Sequence, residues 1–189
     1  MNCTSRGRAA HSGARHEDGR SAIKELARQI LDLEAMTDYS TGVTVNVGVV
    51  SGGTRSNVVA EEARAEVDMR VPNPAVGDVA VARVLALKAY DPDVTLAISG
   101  GLNRPGYEKG AAIEGLFQHA KRIAAGIGFE LLDLKTGGGS DGNFTAAIAP
   151  TLDGLGVDGK GGHTDYEQLY VSSLVPRARL MLGLFEELS

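Results

Sequence analysis

Val43-Thr44-Val45-Asn46-Val47-Gly48-Val49, then the turn Ser51-Gly52-Gly53, then Ala65-Glu66-Val67-Asp68-Met69-Arg70-Val71, is the stretch whose reading decides the fold. Apolar residues alternate with polar ones in both arms, the period-two pattern of strands with one buried face, so the stretch predicts a β-hairpin. The return arm is expected to begin at Ser56 to Val59, kink at Ala60-Glu61-Glu62 and end at Pro72 and Pro74, because proline cannot donate to a ladder.

On the N-terminal side, Ile23, Leu26, Ile30, Leu31 and Met36 recur at helical spacing, with Asp18 or Ser21 available as caps and Asp38 to Gly42 closing the segment. On the other side, Val76 to Tyr90 suits a second helix and Val94 to Ile98 a short strand. With a strand over Gly7 to His11, the first hundred residues read β-α-β-β-α-β, the split ferredoxin-like pattern, closed by the compositional change at Gly100-Gly101.

Residues 101–189 read as a helix over Ala111 to Ile127, a strand over Phe129 to Leu134, a glycine-rich loop over Thr136 to Gly142, an apolar run from Ile148 to Leu152 and a helix over Leu174 to Leu188. That is too few strands for a free-standing α/β sheet, so this half reads as part of a larger layer.

The bulk properties narrow the function. A net charge of −5 opposes binding to nucleic acid or to anionic membranes, and no apolar run approaches the length of a membrane span. The first sixteen residues carry arginines and serines without an acid, as transit peptides do, but lack an apolar helical stripe. The single cysteine, Cys3, excludes an internal disulfide and makes a reducing cytoplasm the expected compartment.

Several constellations could carry chemistry. His163, in Gly161-Gly162-His163-Thr164-Asp165, sits on a glycine-rich loop where a ligand could be reached, while Thr164 and Glu167 also fit a capping box at the start of a helix. The loop Thr136-Gly137-Gly138-Gly139-Ser140-Asp141-Gly142-Asn143 presents backbone N–H groups suited to a carboxylate or phosphate, or serves as a turn into a helix at Asn143. His16-Glu17-Asp18 with Glu61-Glu62 is a weak alternative metal set, since Asp18 doubles as a cap and the glutamates fall at a kink. His11 beside Ser12 has no orienting acid, so a serine hydrolase is disfavoured.

Taken in order, Gly7-Arg8-Ala9-Ala10-His11-Ser12-Gly13, Ser56-Asn57-Val58-Val59, Asp68-Met69-Arg70, Thr136-Gly137-Gly138-Gly139-Ser140-Asp141 and His163-Thr164-Asp165 resemble the glutamate carboxypeptidase, acetylornithine deacetylase and aminoacylase family of zinc metallopeptidases. The resemblance implies an α/β enzyme in which a ferredoxin-like dimerisation lid, residues 1–100, is inserted into a catalytic domain whose C-terminal portion is residues 101–189. It implies zinc as cofactor, a homodimer through the lid, and a small peptide or N-acyl amino acid as substrate.

By the same resemblance, His163 is a zinc ligand and His11 the lid histidine that stabilises the oxyanion across the dimer. Asn57 and Arg70 hold the substrate carboxylate, Arg104 adds a second arginine to that task, and Gly138 and Gly139 line the substrate site. The family's H-x-D strand motif, its adjacent glutamates and its further acidic ligand lie upstream of the lid, and this sequence has none of them. One histidine cannot hold two metal ions or deprotonate a bound water, so the chain alone is expected to be inactive. A non-catalytic dimerisation or carboxylate-binding module is the alternative.

Overall fold

A computed structural model describes residues 1–188. The chain forms two compact units, Met1–Tyr107 and a second beginning at Glu108.

The first unit holds β1 (Asn2–Arg6), α1 (Ala22–Glu34), β2 (Thr44–Gly52), β3 (Glu62–Arg70), α2 (Pro74–Leu85) and β4 (Thr95–Ser99). The strands form one sheet in the order β2-β3-β1-β4, antiparallel throughout. That is the β-α-β-β-α-β arrangement expected, with β1 and β3 as central strands. The inward residues of β3, Ala63, Ala65, Val67 and Met69, are buried, and the outward ones are charged. Two contiguous apolar clusters fill the core: Leu33, Val43, Val45, Val67, Met69 and Val84 at one end, Cys3, Ala22, Leu26, Ala63 and Ala65 at the other.

Three details differ from the sequence reading. The first strand is Asn2–Arg6, not Gly7 to His11. Its inward side chains are the small Cys3 and Ser5, both buried, so the strand lacks the large alternating apolar residues that would announce it; Ser5 Oγ donates to Ala22 O at 2.8 Å. Residues 56–59 are not part of β3, which starts at Glu62. And α2 stops at Leu85 instead of Tyr90. Asn73 caps its start, its Oδ1 accepting from Val76 N at 3.0 Å ahead of Pro74. Beyond its end, the buried Glu25 carboxylate accepts Tyr90 N–H at 3.0 Å and Asp91 N–H at 3.1 Å, while Gln29 Nε2 donates to Lys88 O at 2.8 Å. A continuing helix would need those backbone groups for itself.

The unit also extends beyond Gly100-Gly101. Leu102 packs against the core cluster of Val67, Met69 and Val84, and Gly106 lies so close to β3's exit that a Cβ there would come within 2.4 Å of Val71 O.

The second unit holds α3 (Ala111–Ile127), the one-turn α4 (Gly142–Thr145), the two-stranded hairpin β5 (Gly159–Lys160) and β6 (Gln168–Leu169), and α5 (Val171–Leu188). Phe117, Ala120 and Ala124 of α3 pack against Leu180 and Leu184 of α5 and against Leu131. The strand expected at Phe129 to Leu134 is absent, and the apolar run Ile148 to Leu152 likewise has no ladder partner among the described residues. A strand exists only by pairing, and within this unit there is nothing for them to pair with.

Candidate functional site

In the first unit the candidate residues rest on a pair of crossing loops. Gly7 lets the chain after β1 touch the chain before α1: Arg8 and Arg20 exchange backbone hydrogen bonds at 2.9 Å, and a Cβ on Gly7 would fall 2.0 Å from Arg20 O. The next residues then meet the segment preceding β3. Val59 N–H donates to Ala10 O at 2.9 Å and Ser12 N–H to Asn57 O at 3.0 Å, and His11 forms an antiparallel bridge with Val58. The residues the resemblance singled out 46 positions apart, His11 and Asn57, are thus backbone neighbours.

The His11 ring is held by a turn. Its Nδ1 accepts N–H from Gly13 and from Ala14, each at 3.1 Å. An imidazole nitrogen that accepts two backbone donors carries no proton, so the proton sits on Nε2. Nε2–H has no partner among the described residues and is a donor ready for an external acceptor.

Arg70 lies elsewhere. It ends β3, on the sheet's charged face, and its Nε donates to Asp68 Oδ2 at 2.7 Å. Glu62, where β3 begins beside the His11 loop, is about 27 Å away at the rise of an antiparallel strand. One copy of the first unit therefore does not gather His11, Asn57 and Arg70 into one site. At the His11 end, Glu62 is held below the usual carboxylate range by hydrogen bonds from Arg6 and Arg64, at 3.1 and 2.8 Å. Arg104 is half-buried in the segment that follows β4.

In the second unit, the loop with Gly138 and Gly139 is exposed, and its far end is bound tightly. Ser140 N–H donates to Asn143 Oδ1 at 2.8 Å, Gly142 N–H donates to Ser140 Oγ at 3.0 Å, and the Ser140 hydroxyl donates to the Asp153 carboxylate. Asp153 escaped the sequence reading; its only signal was an acid directly after the apolar run.

His163 is exposed at the tip of the β5–β6 hairpin, with φ of 66°, the one non-glycine residue in the left-handed region among those described. No helix starts at Thr164: β6 comes next, and α5 begins only at Val171. Thr164 N–H and Oγ1 both donate to Gly161 O, at 3.0 and 2.6 Å, so Thr164 closes a tight turn instead of capping a helix. Left-handed backbone costs a non-glycine residue of order 1 kcal/mol and is enriched where function demands a side-chain direction.

Among the described residues, no three His, Cys, Asp or Glu side chains come together as a metal site. No described helix is long and apolar enough to cross a membrane.

Residues 1–88 match the peptidase dimerisation domain of the M20 type. The chain is 28% identical over 189 residues to carboxypeptidase G2 of Pseudomonas sp. (strain RS-16), covering 94% of this chain and 45% of that protein. It is 33% identical over 139 residues to an indole-3-acetyl-aspartic acid hydrolase of Enterobacter agglomerans, covering 66% of this chain and 32% of that protein. Among solved structures, aminopeptidase PepT from Bacillus cereus ATCC 10987 superposes with a TM-score of 0.70 at 27% identity, covering 98% of this chain and 50% of that one. The chain spans about half the length of the relatives it matches.

Proposed function

We propose, from the premise that this chain is a homologue of the M20 peptidases, that it supplies the dimerisation lid and the C-terminal part of the catalytic domain of a zinc-dependent amidohydrolase. The complete enzyme cleaves an amide or peptide bond and releases a carboxylate-bearing amino acid. The observation that carries this reading is the His11 loop: an imidazole fixed through Nδ1 by two backbone donors, its Nε2–H outward, beside Asn57. That is an oriented neutral donor, suited to an oxyanion that develops only in the transition state.

The separation of the two ends of β3 supports a homodimer. In a two-fold pairing, His11 and Asn57 of one copy serve the site at which Arg70 of the other copy exchanges Asp68 for a substrate carboxylate. Arg104 adds a second cation, and Gly138 and Gly139 offer backbone donors. His163 is one zinc ligand. The left-handed backbone at His163 supports the idea that its side chain is held out for a purpose.

Within the second unit, Leu132, Leu134, Ile148, Val175, Leu182 and Phe185 are exposed, which supports a missing α/β partner layer carrying the other ligands. We infer that this chain alone binds no dinuclear zinc centre and hydrolyses no amide. The alternative is a non-catalytic dimerisation or carboxylate-binding module, favoured by the self-contained core of the first unit. Zinc content and hydrolysis of N-acyl glutamates, measured on this chain alone and with the N-terminal half of carboxypeptidase G2 added, separate these. The enzyme reading expects activity only from the mixture or from a chain extended upstream. Full activity of the 189-residue chain overturns the fragment reading, and an inert mixture and extended chain favour the module.

A further inference from the structure

We propose that the cleft between α2 and the adjoining ends of β2 and β3 binds a free α-amino acid with a large apolar side chain. The cleft has a volume of about 400 Å³, within the range of small-molecule sites. Its floor is made by Val43, Val45 and Met69, each also part of the buried core, and its wall by Val76 and Val79 of α2. An occupant therefore rests directly on core side chains, where apolar area is removed from water most completely.

Only two residues lining the cleft are charged, Asp38 and Arg83, and they have opposite signs. Both are solvent-exposed, so they stand where the cleft opens to water. The Asp38 carboxylate is fixed in place by its own turn, its Oδ1 accepting from Ser40 N at 2.9 Å and from Ser40 Oγ at 2.6 Å. Arg83, on α2, has no ion-pair partner among the described residues.

This pairing selects the occupant. An apolar carboxylic acid would meet Arg83 but set its own charge beside the Asp38 carboxylate. An apolar amine would meet the converse repulsion. A zwitterion satisfies both, its carboxylate towards Arg83 and its ammonium towards Asp38, while its side chain fills the cleft. The assignment uses no residue of the proposed hydrolytic site and does not depend on that reading.

Calorimetric titration and thermal unfolding of the full chain test it, with phenylalanine, leucine, glycine, 3-phenylpropionate and phenethylamine as probes. Phenylalanine and leucine should bind saturably and raise the melting temperature, because a ligand that binds only the folded state stabilises it. Glycine and the two singly charged probes should bind at least about tenfold more weakly. Arg83→Met and Asp38→Asn should each weaken phenylalanine by about tenfold. The unliganded melting temperature of Arg83→Met should not change, since its head group has no partner to lose. Ala80→Phe, which fills the cleft from α2, should abolish binding.

Three results would each overturn the proposal: equal binding of 3-phenylpropionate and phenylalanine, undiminished affinity in Arg83→Met, or no saturable binding of phenylalanine or leucine up to about 10 mM, beyond the millimolar limit of weak specific sites.

Discussion

At the scale of single residues, the structure turns on groups whose environment is tighter than their chemistry suggests. Cys3, in the middle of the sheet, is 1% exposed, and burial pushes its thiol up from 9.0 to about 11, with the nearby Glu25 charge adding to the shift. A raised folded value means that the Cys3 contribution to stability is intact below 9.0 and is lost as pH climbs towards about 11. The native protein at pH 8 should therefore fail to react with a chromogenic disulfide reagent over minutes, and should release one thiol per chain in denaturant. Prompt native reactivity would show that β1 is not held as described. Gly7 is constrained by space: Gly7→Ala drives a methyl into Arg20 O and should cost about 2 kcal/mol or more in urea unfolding. The same change should loosen the His11 loop, visible as accelerated amide exchange at Gly13 and Ala14. Of the candidate residues, the nearness of His11 and Asn57 is invisible in the chain, because it depends on the crossing at Gly7. The loop Gly138-Gly139 and the exposure of His163 could be read from composition. The hairpin tip at His163 could not, since Thr164 and Glu167 satisfy a helix-cap pattern equally well.

At the scale of elements, strong periodicity translated directly into structure and weak periodicity did not. The helix expected from Ala111 to Ile127 is α3 to the residue, α1 lies within a few positions of its expected limits, and the β2–β3 hairpin forms as expected except that its return strand starts at Glu62 and not at Ser56. β1 was hidden because its inward face is Cys3 and Ser5. Phe129 to Leu134 looked like a strand by composition, yet pairing is a property of neighbours. Lys109 still anchors that segment, bonding both Asp133 and Glu114, so it is ordered without being a strand. β2 is an edge strand with two different halves. Before its bulge at Gly48, Glu34 Oε1 accepts Val47 N–H at 2.6 Å and Thr37 Oγ1 accepts Val45 N–H at 3.0 Å, so side chains from the α1 connection cap the edge. Past the bulge no described side chain does so, and Val49 and Val50 are 54% and 56% exposed. Open, apolar edge is what a second sheet can extend. Val50→Lys should therefore shift a lid-mediated dimer towards monomer in sedimentation equilibrium while leaving the far-ultraviolet circular dichroism unchanged. A monomeric parent chain would remove the basis for the two-copy site.

At the scale of the whole molecule, the two units differ in self-sufficiency. The first has a four-stranded sheet covered by two helices, and most of its outward residues on β3 are charged. The second relies on the α3–α5 contact and a two-residue-per-strand hairpin, and it leaves many large apolar side chains in water. Hydrogen exchange should find the slowest amides in β1 and β3, with the second unit exchanging through lower-energy openings. Expressed separately, residues 1–107 should unfold cooperatively, whereas a version ending at residue 100 should be less stable by about 2 kcal/mol, because it strips Leu102 from the core. Equal midpoints for the two would place the true boundary at Gly100-Gly101, where composition alone put it.

The stretch that carries Leu102 and Gly106 has a further meaning for how such a unit travels between proteins. The first unit does not terminate with its last strand: it keeps a short tail folded back over the exit of β3, seated where Val71 and Pro72 leave no room for a side chain at residue 106. In recombination or domain grafting, the portable module is consequently strand, helix and tail together. A cut made at the obvious glycine pair would export a unit with an open seam and leave the host holding the piece that closes it.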